Sequence, residues 1–436
     1  MAKPEKAARP QAVASARAVA RDLLDQVLDK HRTLDEAAGL VRGFFDLEPR
    51  DRAFARKLAA AVLRRCGSLD AVLASCLDKG RPPRPVETVL RLGAAQLLLL
   101  GTPAHAAVGE TVELCGRRAA GLKGLVNAVL RKLAADGPAL LAAVDAAHAD
   151  TLPWLWHVLS TAHGEAVARE CATVHAQEPP LDLSVKADAA MWAEKLGADL
   201  LPTGTLRLAA SGDLTDLPGF ADGAWWVQDA AAALPARLLG DVAGRDVLDL
   251  CAAPGGKTLQ LAAAGARVTA VDQSAKRLER LRANLKRTGL AANAIAADVA
   301  EWRPAAPVGA VLLDAPCTAS GTLRRHPEIA YLKSPADAER LVGVQDRLLD
   351  AAAAMTAPGG TLVYAVCSLD PREGRGRVAA FLARDKAFAR VPVRAAEIGG
   401  LSELVSADGD LVTLPCHLAS RGGMDGFYAA RLTRRA

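Results

Sequence analysis

A chain of 436 residues is too long for one ordinary core, so two or three domains are expected, and a hydrophobic share of 51% with 4% aromatics builds them chiefly from Ala, Leu and Val. The net charge of +5 is uneven: the first 150 residues carry about +6 and the rest about −1, which fits either an anionic partner such as RNA or a solvated helical face. The eight cysteines contain no C-x-x-C pair, so metal chemistry has no support and no metal is expected; scattered thiols read as reduced and cytoplasmic. The charged start M-A-K-P-E-K lacks a signal-peptide core, and the apolar run Leu92–Leu100 is too short for a bilayer, so no membrane partner is expected.

Residues 1–12 read as a disordered basic tail. Across 13–137 the apolar spacing is helical throughout. Leu23, Leu24, Val27 and Leu28 share a face, Leu58, Val62 and Leu63 another, and Val86–Leu100 is apolar enough to be central to a bundle. The stretches D-R-A-F-A-R-K-L-A-A-A-V-L-R-R (Asp51–Arg65), L-R-L-G-A-A-Q-L-L-L-L (Leu90–Leu100) and G-L-V-N-A-V-L-R-K-L (Gly124–Leu133) resemble the NusB-like helical domain, whose family binds RNA or protein. A helical linker follows over 138–178, in which Trp154 and Trp156 are packing anchors. Residues 179–240 read as a small α+β, RRM-like module that ends in a strand turning into a helix, with Gln228 and Asp229 at the joint.

Strand and helix alternate regularly over 241–436. Strands are expected at 247–250, 267–272, 294–298, 310–314 and 361–366, with Ser274 and Ser334-Pro335 opening helices between them. That alternation predicts an α/β, Rossmann-like domain built on a parallel sheet. Its first strand runs into V-L-D-L-C-A-A-P-G-G-K-T (Val247–Thr258), a strand, glycine turn and helix of the kind that seats a ligand at the strand's carboxyl end. Three expected strands end in an acid: Asp272, Asp298 and Asp314. The first suits a ribose diol and the second an adenine amino group. The turn is not G-x-G-x-x-G, and Lys257 in it can meet a carboxylate. A ligand with adenosine at one end and an amino acid at the other, S-adenosylmethionine, fits these groups.

D-A-P-C-T-A-S-G-T-L-R-R-H-P-E (Asp314–Glu328) and Y-A-V-C-S-L-D-P-R-E-G (Tyr364–Gly374) each place a cysteine just past a buried strand. If the strands are neighbours, Cys317 and Cys367 face one pocket. A thiolate there can add to C6 of a cytosine and make C5 electron-rich enough to accept a methyl group, while a carboxyl such as Asp314 steadies the ring charge.

With D-L-C-A-A-P-G-G-K-T, D-A-P-C and C-S all present, the carboxyl-terminal two-thirds resembles the RNA cytosine-5 methyltransferases. With the NusB-like front, the whole chain is similar to the RsmB/Sun (Fmu) family of bacterial 16S ribosomal RNA enzymes. The resemblance implies that Cys251, Ala252, Ala253, Pro254, Gly255, Gly256 and Lys257, with Asp272, Asp298 and Asp314, bind S-adenosylmethionine. It also implies that Cys367 is the nucleophile, that Cys317 assists release, and that the enzyme acts as a monomer on free or assembling 16S RNA. Arg324, Arg325 and His326 lie in a loop suited to RNA phosphate or the target base. Two departures stand out: Val366 replaces a common threonine, and Ala330 and Tyr331 replace a common lysine and tryptophan. Three alternatives stay open: a transfer RNA substrate, the single-cysteine scheme of DNA cytosine methyltransferases with Cys317 as nucleophile, and a non-catalytic RNA-binding factor.

Overall fold

The local signals that start helices are used as written. In the computed structural model, which describes residues 15–78, 80–208 and 212–436 without the side chains of Arg117 and Arg118, Ser15 caps Ala16–Lys30 by accepting the Ala18 N–H. Thr33 and Glu36 close a reciprocal capping box on Leu34–Leu40. The expected tail at 1–12 lies outside the described residues. The chain forms two compact units: residues up to Thr151 together with His326–Leu332, and Leu152–Arg325 together with Lys333–Ala436.

In the helical unit, Pro49–Arg64, Cys66–Ala74, Arg84–Leu98, Ala104–Glu113 and Lys123–Ala142 follow the first two helices. Arg84–Leu98 buries Val86, Val89, Leu90, Leu92 and Ala94, and even its Gln96 is fully enclosed. That amide is satisfied by donating to Thr111 Oγ1 at 3.0 Å and to the Leu92 carbonyl at 3.1 Å. Gly93 allows a close approach, since a Cβ there would stand 2.6 Å from a Leu130 methyl and force that side chain to shift. The expected boundary after residue 137 is corrected, since it falls inside Lys123–Ala142. Pro138 forfeits one backbone bond, yet Leu140 and Leu141 still pack on the helical core and hold the last turn. The segment His326–Leu332 belongs to this unit. Tyr331 donates its hydroxyl to the Leu63 carbonyl at 2.8 Å, and the Leu34 N–H reaches the buried Glu328 carboxylate at 3.3 Å.

The second unit opens with helices Pro153–His163 and Glu165–His175. Strands β1 (Leu181–Val185), β2 (Asp199–Leu200), β3 (Leu206–Leu208) and β4 (Trp225–Val227) form an antiparallel sheet in the order β2-β3-β1-β4 around Leu183, Leu206 and Trp225.

Its larger sheet contains β5 (Asp246–Leu250), β6 (Arg267–Asp272), β7 (Asn293–Ala296), β8 (Val308–Asp314), β9 (Thr356–Val366), β10 (Phe388–Arg390), β11 (Leu411–Thr413) and β12 (Phe427–Arg434). The order is β10-β12-β9-β8-β5-β6-β7, with β11 paired to β12. From β9 to β7 all pairs are parallel; β12 then runs antiparallel to β9. Both faces are covered. Val247, Ala310, Leu312 and Val363 enter one core while Leu248, Val311, Leu313 and Leu362 enter the other, which is why these strands read as unbroken apolar runs.

Candidate active site

Because β5, β6, β8 and β9 are parallel, their carboxyl ends share one edge. The chain leaves β5 through Cys251, held at φ +60°, and Gly255, at φ +107°, before the helix Gly256–Ala263 begins. A Cβ on Gly255 would approach Leu281 Cγ to 2.8 Å, so glycine serves both the turn and the packing beneath it. Asp272, at the end of β6 and almost fully buried, pins the turn by accepting the Ala253 N–H at 3.1 Å and the Ser274 N–H at 2.9 Å. Beneath the turn lies Asp249, fully buried. It accepts the Thr258 hydroxyl at 2.5 Å through one oxygen, while the other has no hydrogen-bond partner. Burial pushes this carboxyl up to about 7, and Asp314 adds to the rise.

Lys257 meets a carboxylate belonging to the protein itself. Its Nζ donates to Asp314 Oδ2 at 2.7 Å and stands 4.9 Å from the Phe427 ring centroid. Burial works against the charge on Lys257, but Asp314 and, more weakly, Cys367 hold its pKa above the ordinary value, so the cation is within electrostatic reach of Cys367. Asp298 is not a strand end: β7 stops at Ala296, and the exposed Asp298 caps the following turn by accepting the Ala300 N–H at 2.9 Å. Cys251 is an inert member of the turn, its thiol driven far up by burial.

Strands β8 and β9 are neighbours, with Asp314 opposite Ala365, so their following loops emerge side by side. Cys317 Sγ and Cys367 Sγ lie 3.4 Å apart, both as free, partly exposed cysteines. The two loops are joined by Gly321 N–H to the Cys367 carbonyl at 3.0 Å, and the first is tied to the start of β12 by Gly426 N–H to the Gly321 carbonyl at 2.8 Å. A Cβ on Gly321 would fall 1.9 Å from the Gly426 oxygen, so only glycine fits there. Contact with Cys367, then burial, then the Glu373 charge raise the Cys317 thiol well above its ordinary value.

The expected RNA contacts at Arg324 and Arg325 are corrected. Arg324 is fully buried, with Asp229 at 3.4 Å, Asp425 at 3.5 Å and a bond to the Gly422 carbonyl at 2.7 Å. Arg325 is engaged by Asp229 at 2.7 Å and Asp182 at 3.3 Å. Three buried carboxylates require internal countercharge, and these guanidinium groups supply it. His326 pairs with Glu328 at 3.5 Å within the helical unit. Sequence reading missed Asp249 and the buried Glu373. The signal available for Glu373 was an acid six residues after Cys367. A cavity of about 340 Å³ borders Ser368, Asp370, Arg375, His417 and Phe427 but no residue of the glycine turn. Among the described residues no three His, Cys, Asp or Glu side chains converge to hold a metal, and no helix is long and apolar enough to cross a membrane.

Fold and site together define a Rossmann-like methyltransferase joined to a helical domain. The NusB family matches residues 14–135, and the family described as 16S rRNA methyltransferase RsmB/F matches residues 236–433. The "Ribosomal RNA small subunit methyltransferase B" of Pseudomonas syringae pv. tomato is 39% identical over 416 residues, covering 89% of this chain and 91% of that protein. The Vibrio cholerae protein of the same name is 34% identical, covering 97% and 98%. Among solved structures, PH0851 shares the fold over 98% of this chain and all of its own (TM-score 0.72, 20% identity), and NSun6 from Pyrococcus horikoshii over 66% of this chain and 99% of its own (TM-score 0.55, 18% identity). The chain belongs to the RsmB/F family of 16S rRNA methyltransferases, and is an RNA methyltransferase with a NusB-type amino-terminal domain.

Proposed function

We propose that the chain methylates C5 of a cytosine in small-subunit ribosomal RNA, using S-adenosylmethionine and a covalent thiol adduct. The observation that carries this reading is the 3.4 Å separation of two free thiols at the sheet edge that also bears the glycine turn and the Lys257–Asp314 pair. The donor set fits the cofactor chemically. Asp272 and Asp314 offer acceptors, the turn offers a backbone cradle, and Asp249 holds a buried oxygen in reserve just below. When bound, S-adenosylmethionine supplies an electrophilic methyl group. The Cys367 thiolate bonds to C6 and the C5–C6 pair moves onto the ring, where the Lys257–Asp314 pair would neutralise the charge by lending a proton to N3. After methylation the C5 proton passes by way of Cys317 to the departing Cys367 sulfur, the C5–H pair restores the C5–C6 double bond as the Cys367–C6 bond breaks, and the N3 proton returns to the Lys257–Asp314 pair. Small-subunit RNA as substrate rests on the relatives, which are named ribosomal RNA small subunit methyltransferases.

Trapping tests the assignment of roles. Cys317→Ala is expected to accumulate an RNA–enzyme adduct stable to denaturing gel electrophoresis, and Cys367→Ala to form none. The reverse pattern would assign the nucleophile to Cys317. Mapping 5-methylcytosine in ribosomal and transfer RNA from a gene-deletion strain decides between the two substrates.

A further inference from the structure

Behind the two thiols lies a carboxylate that the reaction scheme does not use. Glu373 is 0% exposed, and four donors converge on its two oxygens. Thr318 gives its N–H at 3.0 Å and its hydroxyl at 2.5 Å, Gln345 Nε2 donates at 3.0 Å, and the Ser368 hydroxyl makes a short bond. That is the arrangement of an acceptor-only carboxylate. Among the described residues no Lys or Arg forms an ion pair with it, so it is buried against neutral donors alone. Such a group is costly to retain for packing, and an apolar side chain would fill the space at lower cost.

What Glu373 ties down explains its presence. Thr318 follows Cys317 directly, and Ser368 follows Cys367. The two hydroxyls also lie 3.3 Å from each other, and Ser320 Oγ joins them. The Glu373 carbonyl in turn accepts the Tyr364 hydroxyl of β9 at 2.6 Å, fixing the hub to the strand that delivers Cys367. One carboxylate therefore grips both cysteine loops one residue away from each sulfur.

We infer that Glu373 is a positioning residue that holds the two thiols at their working separation and keeps them chemically distinct. The inference rests on the reading of Cys367 and Cys317 as the reacting pair. Around Cys317 stand Cys367, Glu373 and Tyr364; around Cys367 stand Cys317, Lys257 and, bonded to that lysine, Asp314. Glu373 adds negative charge at Cys317, and Lys257 places a cation within reach of Cys367. Glu373 thereby disfavours a thiolate at Cys317.

Glu373→Gln tests this, because an amide can keep the Thr318 N–H bond and donate to the hydroxyls while losing the charge. The readouts are the pH midpoint of iodoacetamide alkylation at Cys317, resolved by mass spectrometry, and steady-state methyl transfer. The midpoint at Cys317 is expected to fall by about one pH unit, with kcat down about tenfold and KM for S-adenosylmethionine within twofold. A merely structural role would leave the Cys317 midpoint where it was; that result, or an unchanged kcat, overturns the inference. Should the variant not fold, the pair Thr318→Val with Ser368→Ala keeps the carboxylate and removes its hydroxyl ties. A tenfold fall in kcat at constant KM supports the role, and an unchanged kcat overturns it. Cys367→Ala serves as the control: an active Cys367→Ala means that the underlying reading has failed, whereas an inactive one beside a fully active Glu373→Gln means that only the role of Glu373 has.

Discussion

The second unit contains two close thiol pairs, and they are not equivalent. Cys317 and Cys367 are 3.4 Å apart; Cys171 and Cys416 are 3.6 Å apart. Distance alone does not separate them. The first pair lies past parallel strand ends, beside a lysine, an aspartate and a buried carboxylate. The second sits in an apolar cluster with Leu159, Ala168, Leu369 and Leu414, with the Glu170 carboxylate acting on both thiols and no cation among the groups that shift them. There the hydrogen bond to Cys416, together with burial, drives the Cys171 thiol far above its ordinary range. A thiol pair becomes a reaction centre through the charges arranged around it, and otherwise it is packing.

The largest expected effect breaks that comparison if it fails. Cys367→Ala is expected to lower methyl transfer by at least about 10³-fold, since it removes the thiol assigned to the adduct and leaves Cys317 with its thiolate disfavoured. Cys171→Ala and Cys416→Ala are expected to stay within about twofold in kcat, measured with tritiated donor on small-subunit RNA. Comparable losses at both pairs would mean that proximity, and not environment, marks the centre.

A second substitution sharpens the contrast between charge used for chemistry and charge used for folding. Arg324→Met leaves Asp425 and Asp229 short of countercharge in a fully buried setting and is expected to destabilise by about 3–5 kcal/mol, read by urea unfolding. Folded variant should retain methyl transfer per molecule and the salt dependence of RNA binding. A phosphate contact would behave oppositely, keeping stability and lowering the salt slope by about one.

This arginine also shows where sequence is legible. The glycine turn, the strand-end acids Asp272 and Asp314 and the juxtaposition of Cys317 with Cys367 were readable because period and punctuation fix a strand's end, and the strand's end fixes which side chains share an edge. Asp298 lies two residues past the end of β7, because Ala297 extends the apolar run beyond the last paired residue, Ala296. Arg324 and Arg325 misled because a basic loop looks the same whether its partner is RNA or an acid some hundred residues away; Asp229 and Asp425 are joined to it only by the fold. Tyr331 is the same lesson in reverse. It stands where the family commonly has tryptophan, and its hydroxyl has a place in the helical unit at the Leu63 carbonyl.

The smallest effect concerns Asp249, the buried acid under the glycine turn. Its folded pKa is about 7 against an ordinary value of 3.8, so between those pH values the native state keeps a proton that the unfolded chain has released. The native state then binds more protons, and this group's contribution makes stability fall as pH rises from about 4 to 7, with a limiting slope of about 1.4 kcal/mol per pH unit, and level off above that. Asp249→Asn keeps an oxygen for the Thr258 hydroxyl and removes the titration. Urea unfolding of the two proteins side by side at pH 5, 6, 7 and 8 should show wild type losing ground to the variant up to pH 7 and no further. Parallel curves would mean that the orphaned oxygen is solvated in solution. In that case the space beneath the glycine turn is wetter than the apolar strands around it imply.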